Sequence, residues 1–252
     1  MYRAYLGQRK FGLIVNEIRD SSAPSLQAIK LLARFLNSSQ SDRDSIVEKL
    51  EEDNSVFLND PLATLVIASI FYHSQNFNSA LKLVHKSDDI ECMALAVQIY
   101  LQLDRFDHAK KEYKRMAEKN EYCTLSQMAM AWIYLHTAGE KLQDAYFIFQ
   151  ELRDKYGGTP LLLNNLVACL IMQGRHNEAE TLVQDSIERD PNYSEAIVNQ
   201  LILANVSGKP AEVINRFINQ LRDSPGAKTN PFLVDFDAKE REFDKIALQY
   251  KP

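Results

Sequence analysis

The segments GRHNEAETLVQDSIERDP at 174–191 and GKPAEVINRFINQLRDSP at 208–225 can be laid over one another without a gap. Gly174 and Gly208 lie 34 positions apart, as do Pro191 and Pro225, and the pair Glu178-Ala179 falls on Glu212-Val213. A fixed period constrains a fold more than composition does. Each unit must be the same small element, and none can bury its apolar face except against its neighbours.

Thirty-four residues is the tetratricopeptide period, two antiparallel helices per unit. The expected fold is therefore all-α, a tetratricopeptide-like right-handed helical solenoid. Helix A of each unit carries apolar residues at unit positions 4, 7, 8 and 11, and a glycine near position 15 permits the turn. A small residue at position 20 lets helix B approach, and Pro at position 32 ends helix B because it cannot continue the hydrogen-bond ladder. In the unit starting at Pro160 these are Leu163, Leu166, Val167, Leu170, Gly174, Ala179 and Pro191.

Upstream the small residue recurs as Ala145, Ala109 and Ala80, at spacings of 34, 36 and 29. Phe77 and Phe106 supply the ring that wedges the turn. KFGLIVNEIRD at 10–20 reads as a helix B whose helix A is the short stretch Met1 to Leu6, so the first repeat looks truncated: either a further helix precedes it, the favoured reading, or a partner covers this end. Ser25 to Asn37 and Asp42 to Glu52 form another helical pair, with SSQSD as the turn and N-cap. After Pro225, GAKTNPF is a loop, and 235–250 reads as a capping helix that starts at a capping box of Asp237 and Glu240. Phe236, Phe243, Ile246, Ala247 and Tyr250 share one face of it. Residues 1–252 are thus expected to form a single solenoid domain.

Composition supports a folded chain, with 46% hydrophobic and 25% charged residues and only eight Gly and eight Pro. A net charge of −5 argues against nucleic acid as a partner. There is no apolar run of transmembrane length and no signal peptide at the start, so direct membrane insertion is not expected and a cytoplasmic location is. Cys92, Cys123 and Cys169 are odd in number and far apart, which fits reduced thiols, and the sequons at Asn37, Asn192 and Asn205 are expected to be unoccupied.

Catalytic and cofactor signatures are missing. The five histidines are dispersed, no HExxH or Cys/His cluster is present, and GxGxxG, GxxxxGK[ST] and GxSxG do not occur. No enzyme activity, cofactor or metal is expected. Trp132, on a helix A, reads as core filling, and the basic run Lys110, Lys111, Lys114, Arg115 and Lys119 reads as a solvated helix surface.

The A-helix segments 61–75, 90–103, 126–138, 160–173 and 194–207 contain no Lys or Arg. In such solenoids the A helices line the concave groove, and repeats that capture acidic peptide tails do so with basic residues there. Unit positions place Leu62, Leu65, Ser69, Tyr72, Gln98, Leu101, Asn164, Ala168, Ile171 and Met172 along this groove. That lining suits an apolar or mixed partner segment.

Four stretches carry a more specific signal: YRAYLGQRKFG (2–12), SSAPSLQAIKLLA (21–33), GEKLQDAYFIFQEL (139–152) and KEREFDKIALQY (239–250). Together they make the chain, from Tyr2 to Tyr250, resemble the epsilon subunit family of coatomer, whose members carry a further helical stretch before the YRAYL segment. The resemblance implies a non-enzymatic coat component that grips and stabilises the C-terminal region of the coatomer alpha subunit. It implies contact with other coatomer subunits only indirectly, and peripheral association with Golgi and vesicle membranes through the coat. A generic tetratricopeptide adaptor in another cytosolic complex is the alternative, and the groove without basic residues counts against its chaperone version.

Overall fold

A computed structural model of the chain describes residues 1–250 except Lys86, Pro225, Lys228 and Thr229. Among the described residues all regular structure is helical. It opens with α1 (Tyr2–Gly7), α2 (Phe11–Glu17), α3 (Pro24–Asn37) and α4 (Gln40–Glu52), followed by a short 3-10 turn at Ser55–Phe57. Then come the pairs α5 (Pro61–His73) with α6 (Phe77–Val84), α7 (Ile90–Gln102) with α8 (Phe106–Asn120), and α9 (Thr124–Thr137) with α10 (Lys141–Tyr156). The chain continues with α11 (Pro160–Met172) and α12 (His176–Arg189), α13 (Ser194–Val206) and α14 (Ala211–Arg222), and ends in α15 (Pro231–Gln249). The fold is an all-α tetratricopeptide-like solenoid, and it divides into two compact units, Met1–Ile133 and Tyr134–Pro252.

The odd-numbered helices from α5 to α13 are the A helices of the repeat and are apolar on nearly every side, so they must be buried between neighbours. In the first unit Ile14, Ala33, Ile67, Phe71, Val84 and Ile99 join α2, α3, α5, α6 and α7 into one core. Met93, Val97, Leu101, Ala109, Met116 and Ile133 make a second core, with Trp132 packed on it as core filling. In the second unit Val167, Leu170, Ala179, Val183 and Leu203 tie α11, α12 and α13 together. Ile197, Val198, Leu221 and Leu233 do the same for α13, α14 and α15. The small residues Ala80, Ala109, Ala145 and Ala179 all have no solvent exposure, as the close approach of helix B to helix A requires.

The turn from A to B is the same object each time. Gly174 (φ 74°) and Gly208 (φ 65°) are left-handed, and so are Gln75 (φ 62°) and Asp104 (φ 54°). At each, the left-handed residue donates to the carbonyl three residues back and its successor to the carbonyl five back, as when Gly174 bonds Ile171 and Arg175 bonds Leu170. Arg9 (φ 56°) repeats the pattern between α1 and α2. The third pair departs from it. There the left-handed stretch begins at Ala138 (φ 58°) and continues through Gly139 (φ 61°). Ala145 follows Ala138 by seven positions, where Ala179 follows Gly174 by five, and the surplus residues sit in this widened turn.

The last helix begins earlier than its sequence suggests. Asn230 caps it by accepting from the backbone N–H groups of Phe232 (3.0 Å) and Leu233 (3.3 Å), and Pro231 follows at the first helical position. Asp237 and Glu240 are therefore mid-helix and form no capping box. Both accept from Arg222 of α14 instead, at 2.8 and 3.2 Å. Leu233 is the one described residue of α15 that is buried, while Phe243 is 70% and Ile246 55% exposed. The helix closes over Ile197, Val198 and Leu221 with its first turns; of the apolar face expected to cap the array, Phe236 and Ala247 are half-buried, while Phe243, Ile246 and Tyr250 are open to solvent. The expected end of helix B at Pro225, and Lys228 and Thr229 of the loop that follows, lie outside the described residues.

Candidate partner-binding faces

On α5 the buried residues Ala63, Val66, Ile67, Ile70 and Phe71 leave Leu62, Leu65, Ser69 and Tyr72 half-exposed along one stripe, at the i, i+3, i+7, i+10 spacing of a helix face. Asp60 holds the start of that helix by accepting from Leu62 N (2.9 Å) and Ala63 N (3.2 Å). The Ser69 hydroxyl turns back to the Leu65 carbonyl, at 2.9 Å, and presents no free donor. Tyr72 lies edge-on to His73 and tilted against Phe77, with ring centroids 5.5 and 6.0 Å away, and burial pushes its phenol up from its ordinary value. On α7, Gln98 is half-exposed, but Leu101 is only 5% exposed and belongs to the core with Met93, Val97 and Ala109. The expectation that Leu101 lines the groove is corrected: its helix turns that position toward α8.

In the second unit Ala168 and Ile171 are half-exposed on α11, and Met172 is 49% exposed. Asn164 is held by Asn199 of the next A helix, whose Nδ2 donates to Asn164 Oδ1 at 2.7 Å. Beside it the Asn165 amide nitrogen is buried without a protein partner. Gln173 donates to Gln143 at 3.2 Å, and Arg175 stacks 5.1 Å from the Tyr146 ring centroid while pairing with Glu178 at 2.6 Å. Nine of the ten expected positions therefore lie at least partly exposed on A helices, divided between the two units.

The charge pattern of α5, α7, α9, α11 and α13 is one-sided. None carries Lys or Arg, and their carboxylates are Glu91 and Glu195. Counting back from Ala109 as position 20 puts Glu91 at unit position 2, the place Leu62 takes on α5, so it belongs to the same stripe. Sequence reasoning passed over it, although the count was available. Its carboxylate is engaged by Arg3 of α1, with Nη2 at 2.7 Å from Oε2 and Nη1 at 3.2 Å from Oε1. The one buried cation among the described residues, Lys30 on α3, pairs with Asp20 at 2.7 Å, and that bond holds the Asp20 carboxyl below its usual range. On α8, Arg115 is tied to Glu112 and Asp88, and Lys119 donates to the Asp88 carbonyl, as expected for a helix surface.

No group of three or more His, Cys, Asp or Glu is placed to hold a metal among the described residues, and none of their helices is long and apolar enough to cross a membrane. Burial pushes the Cys92 thiol up and the Cys169 thiol up to about 12, which disfavours the thiolate at both.

Comparison with known proteins gives a consistent answer. The family model described as "Coatomer epsilon subunit" matches residues 1–251. Coatomer subunit epsilon-1 of Arabidopsis thaliana is 36% identical over 225 residues, covering 88% of this chain and 75% of that protein. Coatomer subunit epsilon of Dictyostelium discoideum is 33% identical over 230 residues, covering 88% and 76%. The Caenorhabditis elegans protein of the same name is 29% identical over 248 residues, covering 98% and 84%. Among solved structures, a tetratricopeptide repeat protein from Parabacteroides merdae superposes with a TM-score of 0.59 at 12% identity, covering 87% of this chain and 95% of that one.

Proposed function

Because this chain belongs to the coatomer epsilon subunit family, and so to the components of the coat, we propose that its A-helix faces bind and stabilise the C-terminal region of the coatomer alpha subunit. The role is that of a scaffold in retrograde Golgi-to-ER and intra-Golgi transport, peripheral to Golgi and vesicle membranes through the coat and without catalytic chemistry of its own. Other coatomer subunits are reached through the alpha subunit.

The observation that carries this reading is the absence of Lys and Arg from five A helices whose exposed stripes present Leu62, Leu65, Tyr72, Ile171 and Met172. Such a surface cannot hold an acidic peptide tail. It can bury apolar side chains of a partner and hydrogen-bond its main chain through the amides of Gln98 and Asn164. Burying the exposed half of a methionine and an isoleucine contributes about 1–2 kcal/mol each, enough for a few such contacts to set affinity. The test is affinity purification of the tagged chain from cytosol. The alpha subunit should co-purify with the wild type and be lost from an Ile171→Asp/Met172→Asp variant that remains folded. Recovery of the alpha subunit by both, or by neither, contradicts the reading.

A further inference from the structure

Along α15 the residues Phe232, Phe236, Lys239, Phe243, Ile246 and Tyr250 follow one another at alternating spacings of four and three. That is the seam of a coiled coil, narrower than the stripe a helix turns to a globular core and fitted to one other helix. Only the beginning of the seam is covered by the fold. Phe232 packs on the core of Ile197, Val198 and Leu221, and Phe236 stacks on Phe232 with ring centroids 6.1 Å apart. Beyond them the seam runs out into solvent, with Phe243 70%, Ile246 55% and Tyr250 80% exposed. A ring side chain carries roughly 150–250 Å² of surface, so these three leave roughly 400 Å² of contiguous apolar area in water. That is the size of the patches by which monomers bind something. The exposure shows that the seam is uncovered, and its spacing shows that a helix would cover it.

The charges along the seam decide which helix. Asp235 and Glu240 flank it, but Lys239 at 2.7 Å and Arg222 at 3.2 Å already answer them within the chain. The flanks therefore neither repel a second copy nor call for a basic helix. Lys239 stands in the seam itself, so two copies side by side in parallel register would set one Lys239 against the other. An antiparallel pair avoids this. With the two-fold axis between Asp244 and Lys245, Phe243 lies opposite the partner's Ile246. Lys239 lies opposite the partner's Tyr250, whose ring face accepts an ammonium. The exposed carboxylate of Glu242 flanks the partner's Gln249, which offers an amide donor. We propose that α15 is a self-association surface, through which two copies of this chain pair antiparallel across residues 239–250 in an isologous contact. Covering the three open side chains on both copies buries roughly 800 Å² of apolar surface, short of the roughly 1,200 Å² of a stable complex, so the dimer is weak and forms where chains are concentrated. The surface is separate from the A-helix faces and does not depend on the alpha-subunit reading.

Sedimentation equilibrium of the full chain, from about 5 to about 500 µM, tests it. The wild type should pass from monomer to dimer mass with a midpoint of about 10–100 µM, the range of a small transient interface. Phe243→Asp and Ile246→Asp should each weaken the dimer at least about tenfold, since each sets a carboxylate in the seam. Both side chains stand in solvent, so denaturant midpoints should stay at the wild-type value; Tyr250→Asp, in the last turn, serves if either variant fails to fold. A wild type that is monomeric at every concentration, or a dimer that survives these substitutions, overturns the proposal. The register is read by cross-linking on a Cys123→Ser background. Glu242→Cys mixed with Gln249→Cys should form a disulfide under mild oxidation. Neither should cross-link to its own kind, because like positions stand about 10 Å apart along the axis, beyond the reach of a disulfide. Efficient cross-linking of Glu242→Cys to itself overturns the antiparallel pairing. The other candidate occupant is the C-terminal region of the alpha subunit, which should bind the wild type and Phe243→Asp equally and leave the dimer intact. If it dissociates the dimer and loses affinity for Phe243→Asp, the seam belongs to that partner and the proposal is overturned.

Discussion

Gln75 and Asp104 hold the left-handed conformation that Gly174 and Gly208 hold farther along the chain. A side chain at that conformation costs about 1–2 kcal/mol relative to a right-handed one, and glycine does not incur it. No atom would crowd a Cβ added at Gly174, so the backbone alone sets the effect there. Gly174→Ala should destabilise the fold by about 1 kcal/mol. Gln75→Gly should stabilise it by about 0.5 kcal/mol, the gain being reduced by the entropy glycine loses on folding. Denaturant midpoints check both signs. Leu101→Asp, which a groove residue would tolerate, buries a carboxylate among Met93, Val97 and Ala109 and should cost about 3 kcal/mol or more. A midpoint left unchanged would return Leu101 to the surface. Cys169 keeps its proton up to about pH 12 in the native state, whereas the unfolded thiol ionises near 9. Its contribution to stability is thus complete below about pH 9 and is lost as pH rises toward 12, with a slope of at most about 1.4 kcal/mol per pH unit. At pH 8 an alkylating reagent should modify the half-buried Cys123 before Cys92 or Cys169, and labelling of all three at one rate would contradict the burial.

Helices were legible in the sequence where period and packing coincide. The small residues Ala80, Ala109, Ala145 and Ala179 and the apolar set Leu163, Leu166, Val167 and Leu170 marked α5 to α12 because the repeat requires them at fixed positions, and all are buried. Ala179→Leu and Ala109→Leu should each destabilise the fold by about 1–3 kcal/mol through overpacking between helices A and B, as denaturant midpoints would show. Equal midpoints for wild type and both variants would put the repeat in a different phase. Turns were legible where a glycine or a wedging ring such as Phe77 or Phe106 marks them, whereas Ala138 adopts the left-handed conformation with no sequence mark, one residue ahead of Gly139. The start of α15 was misread for a related reason. Asp237 and Glu240 have the spacing of a capping box, but a capping spacing cannot be told from two carboxylates on one helix face, and here Arg222 claims both. Nothing in the sequence says whether an apolar stripe such as Phe243 and Ile246 finds a neighbour.

For the whole chain, the one-sided charge of the A helices was legible because it is compositional, while the Arg3–Glu91 pair was not, because it joins residues 88 positions apart. The sequence read Met1 to Leu6 as the helix A of a first repeat, and the turn at Arg9 and the packing of α1 on α2 and α3 agree with that reading. The central claim is that the A-helix faces hold their partner by apolar burial, with ionic contacts confined to the rim. Exposed ion pairs are screened over about 10 Å at 0.1 M salt and about 3 Å at 1 M, whereas apolar contacts do not weaken in this way. The most direct measurement is titration calorimetry of the chain against the C-terminal region of the alpha subunit at 0.1 and 1 M salt, for the wild type and for Met172→Asp, whose exposed side chain the fold does not need. The account predicts that wild-type affinity changes by less than about fivefold across this range, the scale of one exposed pair, and that Met172→Asp weakens binding about tenfold at both salts. An affinity that collapses with salt, together with normal binding by Met172→Asp, would contradict it and move the interface to the charged surface of α8.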